Sequence, residues 1–257
     1  MKSKSACFLL FFISLFEFMG CTEGYSGGKV KVVDLKCRDL VNPEGVDEAV
    51  LSWRIESEEN NVTQSAWEIE IASSRKDLEK GNTIWSSGKR ESEQQVNVRP
   101  DVAVLEKGSL YWWRLRIWDG KGQVTSWSEP ASFSLGLNTS DWKAKWITSV
   151  WEQDSPMPYF RKVFNTEKTG TKLQRAVVYF CGLGCGDLYL NGQLVDKKRI
   201  LDPAQTNYEQ YALYSTFDIT SGLVKGENCL GVMLGEGWYG QDKVWRSSFQ
   251  IANGNNL

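Results

Sequence analysis

The amino-acid sequence predicts an all-β chain built as two consecutive antiparallel sandwiches. Three observations carry that reading. Short apolar and β-branched runs recur along the chain, several alternating with polar residues at the period of two that sends one strand face inward and the other to water. Glycine-rich punctuation separates them, above all Asn191-Gly192, a dipeptide whose two positions tolerate positive φ and so close a two-residue hairpin. From Gly182 to Tyr239 no run has the length or period of a helix.

Residues 1–20 have a separate job. Lys2 and Lys4 make a positive start, Ala6 to Phe16 is apolar, and Phe18-Met-Gly-Cys21 ends the run on a small residue before a cysteine. An apolar run of about eleven residues is too short to cross a bilayer, which takes about twenty. The pattern resembles a bacterial lipoprotein signal, cleaved after Gly20 with the Cys21 thiol acylated. An ordinary secretory signal with an incidental cysteine is the alternative. The expectation is a protein of the bacterial cell envelope, lipid-anchored at the outer membrane surface or in the periplasm, with residues 21–29 as a polar tether.

Residues 30–136 read as the first sandwich. Candidate strands are Val30 to Val33, Ala49 to Ile55, Ala66 to Ala72, Gln94 to Val98, Leu110 to Trp118 and Ala131 to Leu135. Trp67, Ile69 and Ile71 share one face, while Glu68 and Glu70 take the other. Strands this short at this spacing, with turns such as Asp119-Gly-Lys-Gly122, fit a fibronectin-III or immunoglobulin-like fold. Val124 to Glu129 resembles the Trp-Ser corner near the last strand of many such modules. The tryptophans read as core filling rather than as a sugar-stacking surface.

Residues 137–156 form a linker in which Asn138, Thr139, Ser140 and Asp141 favour irregular backbone, and Trp142 with Trp146 is expected to pack the seam. Residues 157–257 hold the second sandwich, with about six strands between Tyr159 and Leu234. Jelly rolls usually need eight. Phe249 to Ala252 could supply one more, so the sequence predicts an incomplete sandwich with a sticky open edge, in a fragment or a truncated gene product.

Composition narrows the chemistry. The net charge of −2 is near neutral, which argues against nucleic-acid binding, where a basic face supplies most of the affinity. The chain contains no histidine, so Ser-His-Asp and Cys-His nucleophile systems are excluded and no imidazole can serve as a general base. Beyond Cys7 and Cys21, the cysteines are Cys37, Cys181, Cys185 and Cys229. A Cys181–Cys185 bridge across the glycine turn and free thiols are both open readings; a metal site is disfavoured because Cys-x₃-Cys lacks a second pair.

An ordered series of motifs now points to a family. It comprises Trp142-Lys-Ala-Lys-Trp146-Ile147, Pro158-Tyr-Phe-Arg-Lys-Val-Phe164, Gly182-Leu-Gly184, Leu188-Tyr-Leu-Asn-Gly192, Asp202-Pro203, Tyr214 with Phe217-Asp-Ile-Thr220, and Gly235-Glu-Gly-Trp-Tyr239. The series resembles the N-terminal portion of bacterial α-L-rhamnosidases, glycoside hydrolase family 78. That resemblance implies a carbohydrate-binding-like jelly roll for residues 157–257 and a whole protein that hydrolyses terminal α-L-rhamnose by inversion. It also implies that the catalytic carboxylates sit in an (α/α)₆ barrel beyond this chain, so no catalytic residue is assigned here. Some relatives bind rhamnose through calcium on such a sandwich, and the resemblance extends to calcium only at that level.

Candidate sugar contacts are Asn191, Trp238 and Tyr239, an amide for hydroxyl groups beside aromatic rings for a sugar face. Asn191 also reads as a hairpin residue, Trp238 as a packed one, and Glu236 as a strand-end carboxylate. The other functional class is a stand-alone surface glycan-binding or adhesion lipoprotein, which would need an aromatic platform facing solvent, with Trp245 alongside Trp238 and Tyr239.

Overall fold

The computed structural model describes residues 30–101, 103–148, 157–167, 169, 173–200, 202–235 and 237–239. The signal segment with Cys21, the tether, Glu236, Trp245 and Phe249 to Ala252 lie outside the described residues. Nearly all regular structure is β, in two sandwiches.

In the first, β1 (Val30–Cys37) and β2 (Leu51–Ser57) pair antiparallel as one sheet. The other sheet runs β4 (Trp85–Ser86), β3 (Gln64–Ala72), β6 (Leu110–Asp119), β7 (Ala131–Ser134), with β5 (Arg90–Glu91) also on β3. A short helix, α1 (Arg75–Glu79), follows β3 and is capped by the Ser74 hydroxyl, which accepts from the Asp77 N–H. Along β6 every second residue from Tyr111 to Asp119 is buried, and Trp113, Leu115 and Ile117 meet Leu51, Trp53, Ile69, Ile71 and Phe133 in one core. Gln64 is buried here without an unmet group, accepting from Trp53 Nε1 at 2.9 Å and donating to the Ser92 and Gln94 carbonyls.

The outer face of the same sheet is held by charge and π contacts. Glu68 and Glu70 lie directly opposite Arg116 and Arg114 across the ladder and pair with them at 2.8 and 2.7 Å. Both guanidinium groups stand 4.6 Å from the Trp127 ring. Ser128 fixes that ring's segment, its hydroxyl accepting from the Leu115 N–H, so the expected Trp-Ser corner is present.

The expected strand at Gln94 to Val98 is a correction. Only isolated hydrogen bonds, Leu51 with Val98 and the Trp53 N–H to Gln95 O, tie this stretch to β2. Asn97 adopts φ 55° and the Gln94 amide turns back onto the Val96 and Asn97 carbonyls, which breaks the ladder.

The second module has six described strands, as the sequence predicts. One sheet is β11 (Gln193–Leu194), β10 (Cys185–Leu190), β13 (Gly226–Gly235), β8 (Tyr159–Thr166); the other pairs β12 (Ser215–Asp218) with β9 (Val177–Phe180). Leu188 and Leu190 from the first sheet meet Phe217 from the second and Ile219 just after it, with Phe164, Val178, Phe180 and Val232 packed around them.

The two modules share a built seam. Arg175, just before β9, ion-pairs with Glu44, donates through Nη1 to the Gly108 carbonyl at 3.2 Å, and places Nε 3.6 Å from Asp218. The Tyr214 hydroxyl accepts from the Leu137 N–H at 2.7 Å and faces its carbonyl at 3.2 Å. Trp142, Tyr179 and Tyr214 form a closed edge-to-face triad with centroids 5.1–6.5 Å apart. Backbone approaches so closely that a Cβ on Gly45 would lie 2.3 Å from Thr216 Oγ1. Trp142 therefore packs as expected, whereas Trp146 does not: it is 67% exposed and Ile147 is 72% exposed.

Burial raises the Tyr179 and Tyr214 phenols above their usual value of 10. A folded pKa above the unfolded one means that the stability linked to these groups is complete below the unfolded pKa and is lost as pH rises through the folded one. An alkaline melting series should show Tm falling above a pH of about 10, less steeply in Tyr179→Phe than in the wild type. Equal slopes would remove Tyr179 from that account.

Candidate functional site

Asn191 and Gly192, at φ 50° and 81°, turn β10 into β11 and close the Leu190–Gln193 pair. The Asn191 side chain then works inward. Its amide donates to Asn228 Oδ1 at 2.9 Å and to the Gly222 carbonyl at 3.2 Å, while its oxygen accepts from the Cys229 N–H at 2.8 Å. Asn228 is fully buried and holds the Val224–Gly226 turn through three further bonds. Both amide protons of Asn191 are thus used within the protein.

Trp238 and Tyr239 sit elsewhere, at the end of β13. Trp238 is 37% exposed, and the half-buried Tyr239 ring meets Tyr208 edge-on, at 5.3 Å and 87°. The chain reaches this point through Gly237, at φ 52°, where a Cβ would stand 2.7 Å from the Cys185 nitrogen. Asn191 and the Trp238–Tyr239 pair belong to different features of the module, a hairpin corner tied to Asn228 and a strand end packed on Cys185 and Tyr208.

Tyr208 belongs to a loop that the sequence marks only as polar, running from Asp196 to Tyr214. Its base is pinned. Arg199 reaches Asp196 and Asp202, donates to the Thr216 carbonyl at 2.9 Å and covers the Phe217 ring at 4.5 Å. Asp202, ahead of the cis peptide to Pro203, accepts from the Ser215 hydroxyl, and its carbonyl takes the Gly186 N–H at 2.8 Å. Further along, Asn207 O accepts from the Gln210 and Tyr211 N–H groups, and Thr206 Oγ1 donates to Tyr211 O, which presents Tyr208 and Tyr211 on a tight turn. A loop of this length between two strands is the signal that could have flagged these residues.

The protonation states favour contact over covalent chemistry. Burial raises the Cys181, Cys185 and Tyr208 pKa values, so these groups are neutral at pH 7. Cys37 is pushed up to about 11 by burial. Cys181 and Cys185 are free thiols, and Cys181 Sγ faces the Leu213 carbonyl at 3.1 Å. Among the described residues no cluster of three or more Cys, Asp or Glu is placed to hold a metal ion.

A tandem of two β-sandwich modules locked at one seam is the class these features define. Residues 32–139 match the Rha78A-like N-terminal immunoglobulin domain, and residues 171–256 match the α-L-rhamnosidase N-terminal domain. An α-L-rhamnosidase of Formosa agariphila is 35% identical over 223 residues, covering 77% of this chain and 23% of its own length. One of Alteromonas sp. strain LOR is 31% identical over 213 residues, covering 78% and 23%. The solved α-L-rhamnosidase of Dictyoglumus thermophilum superimposes with a TM-score of 0.72 at 33% identity, covering 81% of this chain and 25% of that one. The chain carries, in order, the N-terminal domains of α-L-rhamnosidases. It spans about a quarter of the length of the relatives it matches.

Proposed function

We propose that this chain is the non-catalytic front of an exported, lipid-anchored α-L-rhamnosidase that removes terminal α-L-rhamnose from glycans or glycosides. The observation that carries the reading is the order of the two matches: both N-terminal domains of the family, consecutive in one chain. Inverting hydrolysis needs a carboxylic acid and a carboxylate about 6.5–9.5 Å apart around the scissile bond. On this reading that pair lies in the region that follows these domains in the longer relatives, and the two sandwiches position it at the cell surface. The half-buried Tyr239 ring packs edge-to-face with Tyr208, a contact within the module.

The test is a chimera in which this chain replaces the N-terminal quarter of the Formosa agariphila enzyme. Hydrolysis of an aryl α-L-rhamnoside by a folded chimera supports the reading, and a folded but inactive chimera counts against it. Anchoring is tested separately, by the mass of the mature N-terminal peptide. A diacylglycerol or further acyl addition on Cys21, lost in Cys21→Ser, is the expected result; an unmodified cysteine would remove the anchor.

A further inference from the structure

The first module carries a cleft of about 180 Å³ lined by Arg38, Asp39, Val50, Ser52 and Asn97. Leu51 and Trp53 point into the core, so Ser52 between them faces the other way and opens this site on the outer side of β2. Backbone bonds fix the three segments around it. Cys37 and Leu40 exchange N–H···O bonds at 3.0 Å and close a two-residue hairpin with Arg38 and Asp39 at its tip. The Arg38 N–H reaches the Val50 carbonyl at 2.8 Å, and Leu51 and Val98 exchange bonds at 2.8 and 2.9 Å, which sets Asn97 beside β2. The residues at these tips are not the ones the backbone favours. Arg38, Asp39 and Asn97 adopt φ of 53°, 62° and 55°. A hairpin with positive φ at both central positions favours Asn-Gly, the pair found at Asn191-Gly192, whereas Arg38-Asp39 holds strain in the turn. The ion pair from Arg38 to Asp47, with side chains 39% and 67% exposed, is too solvated to account for it.

We propose that the strained tips hold their side chains for a ligand, and that the cleft binds one neutral sugar ring of a glycan; the choice of a sugar among polyols rests on the function proposed above. The lining selects that chemistry. Among the described residues, the Asp39 carboxylate, the Ser52 hydroxyl and the Asn97 side-chain amide have no partner within the protein, which leaves acceptors and donors side by side for adjacent hydroxyl groups. Arg38, the cation of the lining, is already matched by Asp47 at 2.5 Å and Glu48 at 3.6 Å, so an anion finds no free positive charge. No cluster of three or more Cys, Asp or Glu among the described residues is placed to hold a metal ion. The volume lies below the about 300–1,000 Å³ of pockets that enclose drug-sized ligands, so it suits a single ring. Asp39 accepts from neighbouring hydroxyls, Asn97 and Ser52 donate to and accept from others, and the remaining Arg38 N–H groups face ring or hydroxyl oxygens.

Two-dimensional ¹H–¹⁵N NMR of this chain, titrated with methyl α-L-rhamnoside, methyl β-D-glucoside, D-glucuronate or glycerol, tests the proposal. Either neutral glycoside should give saturable shifts at the amides of Arg38, Asp39, Ser52 and Asn97, with a Kd of about 1–10 mM. No saturable shift at about 100 mM of either glycoside overturns the site, as do shifts confined to other residues. Tighter binding of glucuronate overturns the neutral ligand, and equal binding of glycerol overturns the sugar ring. Asn97→Gly keeps the left-handed backbone and removes the amide, so it should weaken binding at least about tenfold with the wild-type melting curve retained. The double variant Arg38→Asn, Asp39→Gly installs the favoured turn pair and should raise Tm while weakening binding at least about tenfold. A lower Tm in that variant would mean that Arg38 and Asp39 serve the fold, and unchanged binding in either variant would remove these side chains from the site. Activity of the chimera is read separately: an active chimera built on a chain that shows no sugar shift defeats the cleft alone, and sugar binding beside a folded, inactive chimera defeats only the function proposed above.

Discussion

Trp113→Ala is expected to cost the first sandwich about 3–5 kcal/mol, the usual range for removing a fully buried tryptophan. Trp113 is 0% exposed in the middle of β6, between Ile71 on β3 and Ala131 on β7, and it faces the sheet formed by β1 and β2. For a module of about a hundred residues this lowers Tm by tens of degrees, because each kcal/mol is worth about 4–8 °C. The indole carries its own cost, since its buried Nε1 has no hydrogen-bond partner. Trp113→Phe removes that orphan donor while keeping most of the packing, so its loss should stay below about 2 kcal/mol. Calorimetry of the two variants checks both numbers, and equal losses would mean that packing volume is not what Trp113 supplies.

Arg175→Ala should uncouple the modules. Removing one partner of a buried ion pair costs about 3–5 kcal/mol, because the other charge is left desolvated. Arg175 and Glu44 are 14% and 26% exposed, so solvent screens part of that, and about 2–3 kcal/mol is the expected loss. Glu44 keeps the Ser134 hydroxyl at 2.6 Å, whereas Gly108 O and Asp218 lose their guanidinium contacts. The wild type is expected to melt in one transition and the variant in two, with faster proteolysis between Leu137 and Thr148. Arg175→Lys restores charge but not the planar fork and should fall between them. Two transitions already present in the wild type would show that the seam does not couple the modules.

Where side-chain periodicity was long, the fold was legible. The alternation of β6 and of Ile69 and Ile71 on β3 follows directly from residue order, as does the hairpin at Asn191-Gly192. Strands β4 and β5 hold two residues each, too few to show a period, and they exist because β3 offers an edge. The stretch from Gln94 to Val98 carries apolar alternation, yet local side-chain bonding and a left-handed Asn97 override it. At the seam, sequence order marks the irregular turn, where the Asn138 N–H meets Asp141 at 2.7 Å, and the packing of Trp142. It cannot distinguish Trp142 from Trp146, because the partners Tyr179 and Tyr214 are brought in from far along the chain. The same holds for the Tyr208–Tyr239 contact, which joins a loop to a strand terminus. Asn191 shows the reverse: the residue is visible, but its commitment to Asn228 and Cys229 depends on β13 lying alongside.

The most direct measurement is turnover of 4-nitrophenyl α-L-rhamnoside by this chain alone, purified from a host without rhamnosidase. The account places both catalytic carboxylates outside these sandwiches and so predicts no release of 4-nitrophenol above the uncatalysed rate. Sustained turnover that follows the protein through purification, and disappears on mutation of a carboxylate within residues 30–239, would contradict it.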